Sequence, residues 1–463
     1  MWLGMSLGTD HRSNGSHRHG SERMALLMVE KARALRGGEP SVESLLLEAR
    51  ARMVLMDHDG ARRVLRSLAA RCDGAQLEEV EARQAELEAD ASRWSVEALE
   101  DRRAELRAME EELARLRSEV ASRRAGLAPV DRGRRTWCFA DLDAQWTHDS
   151  LARTVLALEL LESKLAAAEM ACTDGASRAW SEALAAIAAH PAYAKARWPG
   201  GRLSPQLGLV PLGPDPSSGL HEFVHVQSGA TPERGADGRL GLRAEHGVVF
   251  VLLPGGVPYL GPQSDLAELH ANLHLEPYFI AKHELTQAQW NRLAGSGGGH
   301  ADPGPMNPAN NLSWLNCKQV FARALGWIGL PTEAQWEHAC RAGTTTPWST
   351  GEVEQSLVGS ANCAFDGESR SLEDVDARRP NAWGFHDMHG NAWEWCRDTW
   401  GGRSSLPDDG LIDHDVDGQI DRVFRGGSCT NAPGMARSGR RFSYAPTRRL
   451  PNLGVRPAIA VMP

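Results

Sequence analysis

The chain of 463 residues contains no run of 18 or more apolar residues, so no transmembrane helix is expected. Its first stretch, "MWLGMSLGTDHRSNGSHRHG", has no charged segment followed by an apolar core, so no secretory signal is read and a cytoplasmic location is expected. Basic residues are not in excess. Lys and Arg number 51 against 60 Asp and Glu, a net charge of -9, which argues against a nucleic-acid partner. The eight cysteines (Cys72, Cys138, Cys172, Cys317, Cys340, Cys363, Cys396 and Cys429) include no CxxC pair. Their spacing gives no zinc pattern and requires no disulfides, so most are expected as small buried residues. "HRSNGSHRH" has metal-binding side chains but reads better as part of a disordered polar tail over 1–21.

Proline is absent from 75 to 126, and no glycine follows residue 74 until Gly126. A long helix is expected over 75–128. Leu99, Leu106, Leu113, Val120 and Leu127 fall seven apart, and Val80, Leu87 and Trp94 extend a sevenfold stripe upstream. Arg102 and Arg123 interrupt the second heptad column, so both a coiled-coil homodimer and an antiparallel hairpin within one chain remain open. Short amphipathic helices are expected over 22–74 and a helical segment over 129–198.

Near residue 200 the composition changes. Gly and Pro become the punctuation and apolar runs shorten to strand length, which places a domain boundary there. "HEFVHVQ", "GRLGLRA" and "GVVFVLLPGG" read as three strands with a turn at Asp237-Gly238, the first two within a β-hairpin extension over 199–244. "HEFVH", His221 to His225, matches the HExxH zinc motif by letters. Its neighbours alternate with strand period, and four residues of strand span about 13 Å, too far for joint chelation. It is expected as a surface strand.

Three blocks downstream carry a resemblance. In "LPTEAQWEHACRAGTTTPWSTG" (330–351), Thr332 is a good N-cap, Glu333 favours the first turn, Ala334 to Arg341 suit a short helix and Gly343 its stop. "NAWGFHDMHGNAWEWCRDTW" (381–400) and "RVFRGGSCTNAPGMARSGRRFSYAPTRRLPNLGVRPA" (422–458) are the others. With "VLLPGGVPYLG" and "LEPYFIAKHELTQAQWNRL" upstream, they resemble the formylglycine-generating enzyme, or sulfatase-modifying-factor, family over about 245 to 460. The resemblance implies an α+β fold: a C-terminal, C-type-lectin-related domain (245–463), here preceded by an all-α coiled-coil and helical region, as in a bacterial member. Fifteen Trp suit such a loop-rich domain, because indoles such as Trp336, Trp393 and Trp395 each bury about 150 to 250 Å².

The resemblance also implies site residues. Asp387 and Glu394 would offer carboxylates, and Gly390 and Ala392 carbonyls, to a structural calcium; Asn362 and the Cys363 carbonyl match part of a second site. The family's oxidases hold Cu(I) with cysteines three and eight residues after the serine of a Gly-Gly-Ser turn. Here those positions are Asn431 and Ala436, which cannot bind Cu(I), so copper is not expected. No cluster of three histidines marks the N-terminal helices, so the iron route of related enzymes is not expected either. Whether the domain is an enzyme is left open. Cys429, directly after Ser428, is the candidate catalytic thiol of a divergent oxidoreductase, although a position usually held by tryptophan suits core better.

A retained scaffold without its metal centre points to binding of a protein or small ligand. Asn431, Arg437, Arg440, Arg441, Tyr444 and Arg448 form the candidate surface for an acidic or planar ligand. The variable display proteins of diversity-generating retroelements are a further alternative the resemblance allows.

Overall fold

The computed structural model describes residues 174–261, 268–269, 273–295, 300–301, 303–321, 324, 328–368, 370–401 and 420–462, together with 80–81, 114 and 117–125. The chain divides into two compact units: Met1–Arg93 with Glu100–Glu162, and Trp94–Leu99 with Ser163–Pro463. In the first, the described residues are helical up to Arg124. Val80 and Val120, both on the sevenfold stripe, are buried, and Arg123 pairs with Glu119 one turn earlier at 3.4 Å. The polar tail, the short helices over 22–74, most of the long helix and the segment up to 173 lie outside the described residues, and so does the coiled-coil pairing. No helix among the described residues is long and apolar enough to cross a membrane.

In the second unit, α1 (Asp174–Ala189) precedes the strands. β1 (Leu209–Pro214), β2 (His221–His225), β3 (Val249–Leu253), β6 (Tyr278–Ala281), β12 (Ala458–Ala460) and β7 (Ile328–Gly329) form a six-stranded antiparallel sheet in the order β1-β2-β3-β6-β12-β7. β4 (Tyr259–Leu260) and β5 (Glu268–Leu269) make a small ribbon. A four-stranded sheet has the order β10-β9-β8-β11, from β8 (Trp393–Thr399), β9 (Arg422–Arg425), β10 (Phe442–Tyr444) and β11 (Leu453–Gly454), with β11 parallel to β8. Helices α2 (Gln287–Ala294), α3 (Trp314–Phe321) and α4 (Glu333–Arg341) lie between the strands in sequence.

Two expectations need correction. "HEFVH" is a strand, but an interior one: all five residues are buried, because Glu222 is neutralised by Lys282 at 2.5 Å and Arg234 at 2.8 Å. "GRLGLRA" is not a strand. It makes one isolated bridge, Leu240 to Arg234, across the Asp237-Gly238 turn.

The core runs continuously from α1 through both large sheets. Indoles supply much of the buried bulk, and five of them place their N–H on a carbonyl or carboxylate, as burial demands. Trp180 donates to Leu209 O (2.9 Å), Trp314 to Cys396 O (2.9 Å), Trp395 to Leu312 O (2.9 Å), Trp348 to Pro433 O (3.1 Å) and Trp336 to Glu394 (2.6 Å). Packing does not divide at the composition break near 200. Trp180 of α1 sits 5.1 Å from Phe223 of β2, ring centre to ring centre. Tyr193 ties the next turn to the sheet, donating to Leu252 O (3.0 Å) and accepting from the His221 N–H (2.9 Å).

Candidate functional site

The turn from Asp387 to Glu394 is built on left-handed backbone. Asp387, Gly390 and Asn391 have φ of 56°, 93° and 57°. Gly390 is required for a second reason: a Cβ there would lie 2.3 Å from the Asn362 carbonyl oxygen. That carbonyl accepts from the Asn391 N–H (2.9 Å), so the two predicted calcium segments, around 362 and around 390, are neighbours in space. Glu284 braces the turn from the far end of β6, accepting from the Ala392 N–H (2.8 Å) and from Asn391 Nδ2 (2.6 Å). Sequence reasoning missed Glu284; a lone carboxylate in "FIAKHEL", otherwise the end of a buried strand, was the available signal.

The two carboxylates expected to share an ion differ. Glu394 is committed: Arg456 donates to both its oxygens (2.8 to 3.1 Å) and Trp336 Nε1 to one (2.6 Å). These bonds fill the roughly four lone-pair positions of a carboxylate. Asp387 is also buried, yet neither of its oxygens has a hydrogen-bond partner among the described residues, and the same holds for Asn362 Oδ1. Burial holds the Asp387 carboxyl well above the ordinary carboxylate range, with Glu394 adding repulsion and Arg456 opposing. Burial does the same to Glu284, with Asp387 and Glu394 adding to it. Among the described residues no three His, Cys, Asp or Glu side chains are grouped to hold a metal, so an ion here would draw on backbone carbonyls.

The Gly-Gly-Ser turn packs against this one. Gly426 and Gly427 have φ of 100° and 79°, and a Cβ on Gly427 would come within 2.8 Å of Ala436 Cβ. Asn431 closes its own turn: its Oδ1 accepts from Ser428 Oγ at 2.7 Å. Ala436 is buried against Trp348 and Cys363. Cys429 is 2 % exposed and packs with Leu372 and Ala392, its N–H donating to Asn391 O (2.8 Å) and its carbonyl accepting from Arg370 (3.1 Å). Burial pushes the nearby Cys363 thiol up to about 12, with Cys429 contributing.

The predicted arginine surface separates into three layers. Arg441 is buried, forked onto Glu333 at 2.6 and 2.8 Å, and lies over Trp400. Arg437 and Arg440 are half-buried over Trp348 (5.2 Å) and Phe442 (4.9 Å). Tyr444, Arg448 and Arg449 are exposed. Tyr444 stacks on Phe424 with ring centres 5.4 Å apart, and Arg448 lies over Tyr444 at 5.6 Å. Asn431 is half-buried.

Residues 243–461 match the sulfatase-modifying factor enzyme 1-like domain family. This stretch is a sulfatase-modifying factor domain. It is similar to formylglycine-generating enzyme from Bos taurus, 31% identical over 176 residues, which are 34% of this chain and 46% of that protein. It is likewise similar to inactive C-alpha-formylglycine-generating enzyme 2 from Mus musculus, 29% identical over 206 residues, 41% of this chain and 60% of that protein. The solved structure of PvdO from Pseudomonas aeruginosa aligns over 46% of this chain and 94% of its own, at 25% identity and a TM-score of 0.41. The chain spans about half the length of the curated relatives it matches. Both turns and the arginine layers lie within the sulfatase-modifying factor domain.

Proposed function

We propose that this sulfatase-modifying factor domain works without copper oxidation chemistry, as a module that binds a protein or small ligand through its C-terminal loops. The carrying observation is the pair Asn431 and Ala436 at the copper positions. Asn431 is spent on capping its own turn, and Ala436 has no donor. Cys429 is buried at 2 % exposure against Leu372 and Ala392, which suits a core residue better than an accessible copper ligand. The similarity to a relative named inactive fits this reading. The ligand face is the exposed part of the expected surface, Tyr444 with Arg448, backed by half-buried Arg437 and Arg440. An aromatic face beside guanidinium groups suits an acidic or planar ligand.

A structural calcium belongs to the same proposal, with one change in its donors. Asp387, with two buried oxygens lacking partners, and the carbonyls of Gly390 and Ala392 would hold it, while Glu394 stays with Arg456. The ion would supply positive charge to a site where Glu284 and Asp387 otherwise repel.

The test of the functional reading is turnover. Folded protein is incubated with Cu(I), oxygen, reductant and a cysteine-containing sulfatase-type peptide, and the peptide is weighed. The unchanged mass is expected; a formylglycine product lost on Cys429→Ser would overturn the reading. For calcium, the expected result is a higher melting temperature with calcium than with chelator, a difference that Asp387→Asn removes.

A further inference from the structure

The balance of charge reverses toward residue 463. From 422 to 463 there are eight Arg and no Asp, Glu or Lys, in a chain whose net charge is -9. Three of the eight are spent inside the fold: Arg425 on Glu337, Arg441 on Glu333 and Arg456 on Glu394. Arg448 and Arg449 differ. Both are exposed, and neither forms an ion pair among the described residues. The loop that carries them is held in place. The Arg448 N–H donates to Ala445 O (2.8 Å), the Leu315 N–H to Pro446 O (3.2 Å) and the Asn311 N–H to Leu450 O (3.0 Å).

Arg448 stands beside an open sheet edge. β10 is the end strand of its sheet and pairs only with β9 among the described residues. Alternate residues of an antiparallel edge strand turn their N–H and C=O away from the partner, so the outer side of β10 can bond a further strand. Side chains alternate as well. Phe442 and Tyr444, opposite Phe424 and Arg422, share one face, and Ser443 lies on the other. Each ring on that face carries a guanidinium: Arg440 over Phe442 at 4.9 Å and Arg448 over Tyr444 at 5.6 Å. Phe442 and Ser443 are half-buried, and Tyr444 is 42 % exposed.

We propose that β10 takes an extended acidic peptide as a fifth strand, with carboxylates at alternate positions, i and i+2, set against Arg440 and Arg448. This names the partner of the binding reading above and rests on it. Side chains two apart on a strand share a face and stand about 7 Å apart, the repeat that separates Phe442 from Tyr444. Directly opposite residues on neighbouring strands lie about 5 Å apart at Cβ, so each carboxylate falls within reach of the guanidinium on the ring it faces. The peptide backbone meets the outward N–H and C=O groups of β10, and its charge meets Arg448. A compact anion would satisfy the arginines and leave the strand edge unmet. A long polyanion would meet repulsion from the chain's net charge of -9.

The test uses the full chain and short fluorescein-labelled peptides built on Thr and Val, read by anisotropy. One contains Glu-Thr-Glu, a second of the same composition Glu-Glu-Thr, and a third Lys-Thr-Lys. The first should bind, weaken as salt rises, and bind about tenfold tighter than the second. N-methylating it at alternate residues should abolish binding for one set of positions and spare it for the other, as a single bonded edge requires. Arg448→Glu should weaken it about tenfold and improve the binding of Lys-Thr-Lys. Arg239→Glu, the same change of charge at another exposed position, should do neither. No binding of Glu-Thr-Glu, equal affinity for the two acidic spacings, indifference to Arg448→Glu, or tighter binding of heparin or a single-stranded oligonucleotide than of any peptide would overturn the proposal. Those outcomes leave the binding reading standing, because that reading falls to a formylglycine product in the turnover assay.

Discussion

Arg456 and Glu394 are both buried, and removing one leaves the other's charge without compensation. Arg456→Leu should therefore cost about 3–5 kcal/mol in urea unfolding. A loss below about 1 kcal/mol would mean that Glu394 has another counterion. His221 gives a prediction in pH. Burial, helped by the charges of His190 and Arg234, lowers it from 6.5 to about 4. The fold then binds fewer protons than the unfolded chain between those values. The stability from a neutral His221 is full above about 6.5 and is lost as pH falls toward 4. His221→Gln should flatten that part of the melting-temperature profile; an unchanged profile would place the acid sensitivity elsewhere. At this scale the sequence was legible where chemistry is written in a motif. The Asp387–Glu394 turn was visible in the letters. Glu284 was not, since it gains its role from Asn391, 107 positions away.

Local rules carried further for helices than for strands. Helix α4 runs over Glu333–Arg341 behind Thr332, where the expected N-cap is extended by Gln335 into a full capping box: Thr332 Oγ1 accepts from the Gln335 N–H at 3.1 Å, and Gln335 Oε1 from the Thr332 N–H at 2.9 Å. Its left-handed exit falls on Ala342 at φ 47°, one residue before the expected Gly343, which is itself at 87°. Thr332→Ala should lower stability by about 1 kcal/mol, read by urea unfolding, and Thr332→Ser should restore most of it. A null effect would show that Asp398, which accepts from the Glu333 N–H at 2.7 Å, is sufficient to cap the helix. For strands, alternation of polar and apolar residues was read as one solvent face. In β2 that reading failed because Glu222 has internal ion-pair partners and both neighbouring strands cover it. No sequence window reveals a partner that distant, so β2 looked superficial while lying inside the sheet.

The whole molecule shows the same limit in where a unit begins. Composition changes near residue 200, yet the compact unit includes α1 and the turn around Tyr193. Trp180 and Ile187 are 4 % and 2 % exposed, and Tyr193 bonds to both β2 and β3. Those contacts are what a boundary at the composition change would cut. Two shortened chains separate the possibilities, one starting at 165 and one at 200. The longer should unfold cooperatively. The shorter exposes Phe223 and leaves the Leu252 carbonyl and the His221 N–H without Tyr193. Losing a buried Trp and a buried Tyr at about 3–5 kcal/mol for each large aromatic approaches the whole stability of a domain. The chain starting at 200 should therefore aggregate or melt many degrees lower in calorimetry. Equal melting temperatures would mean that α1 is an appendage and that the composition change marks the true start of the fold.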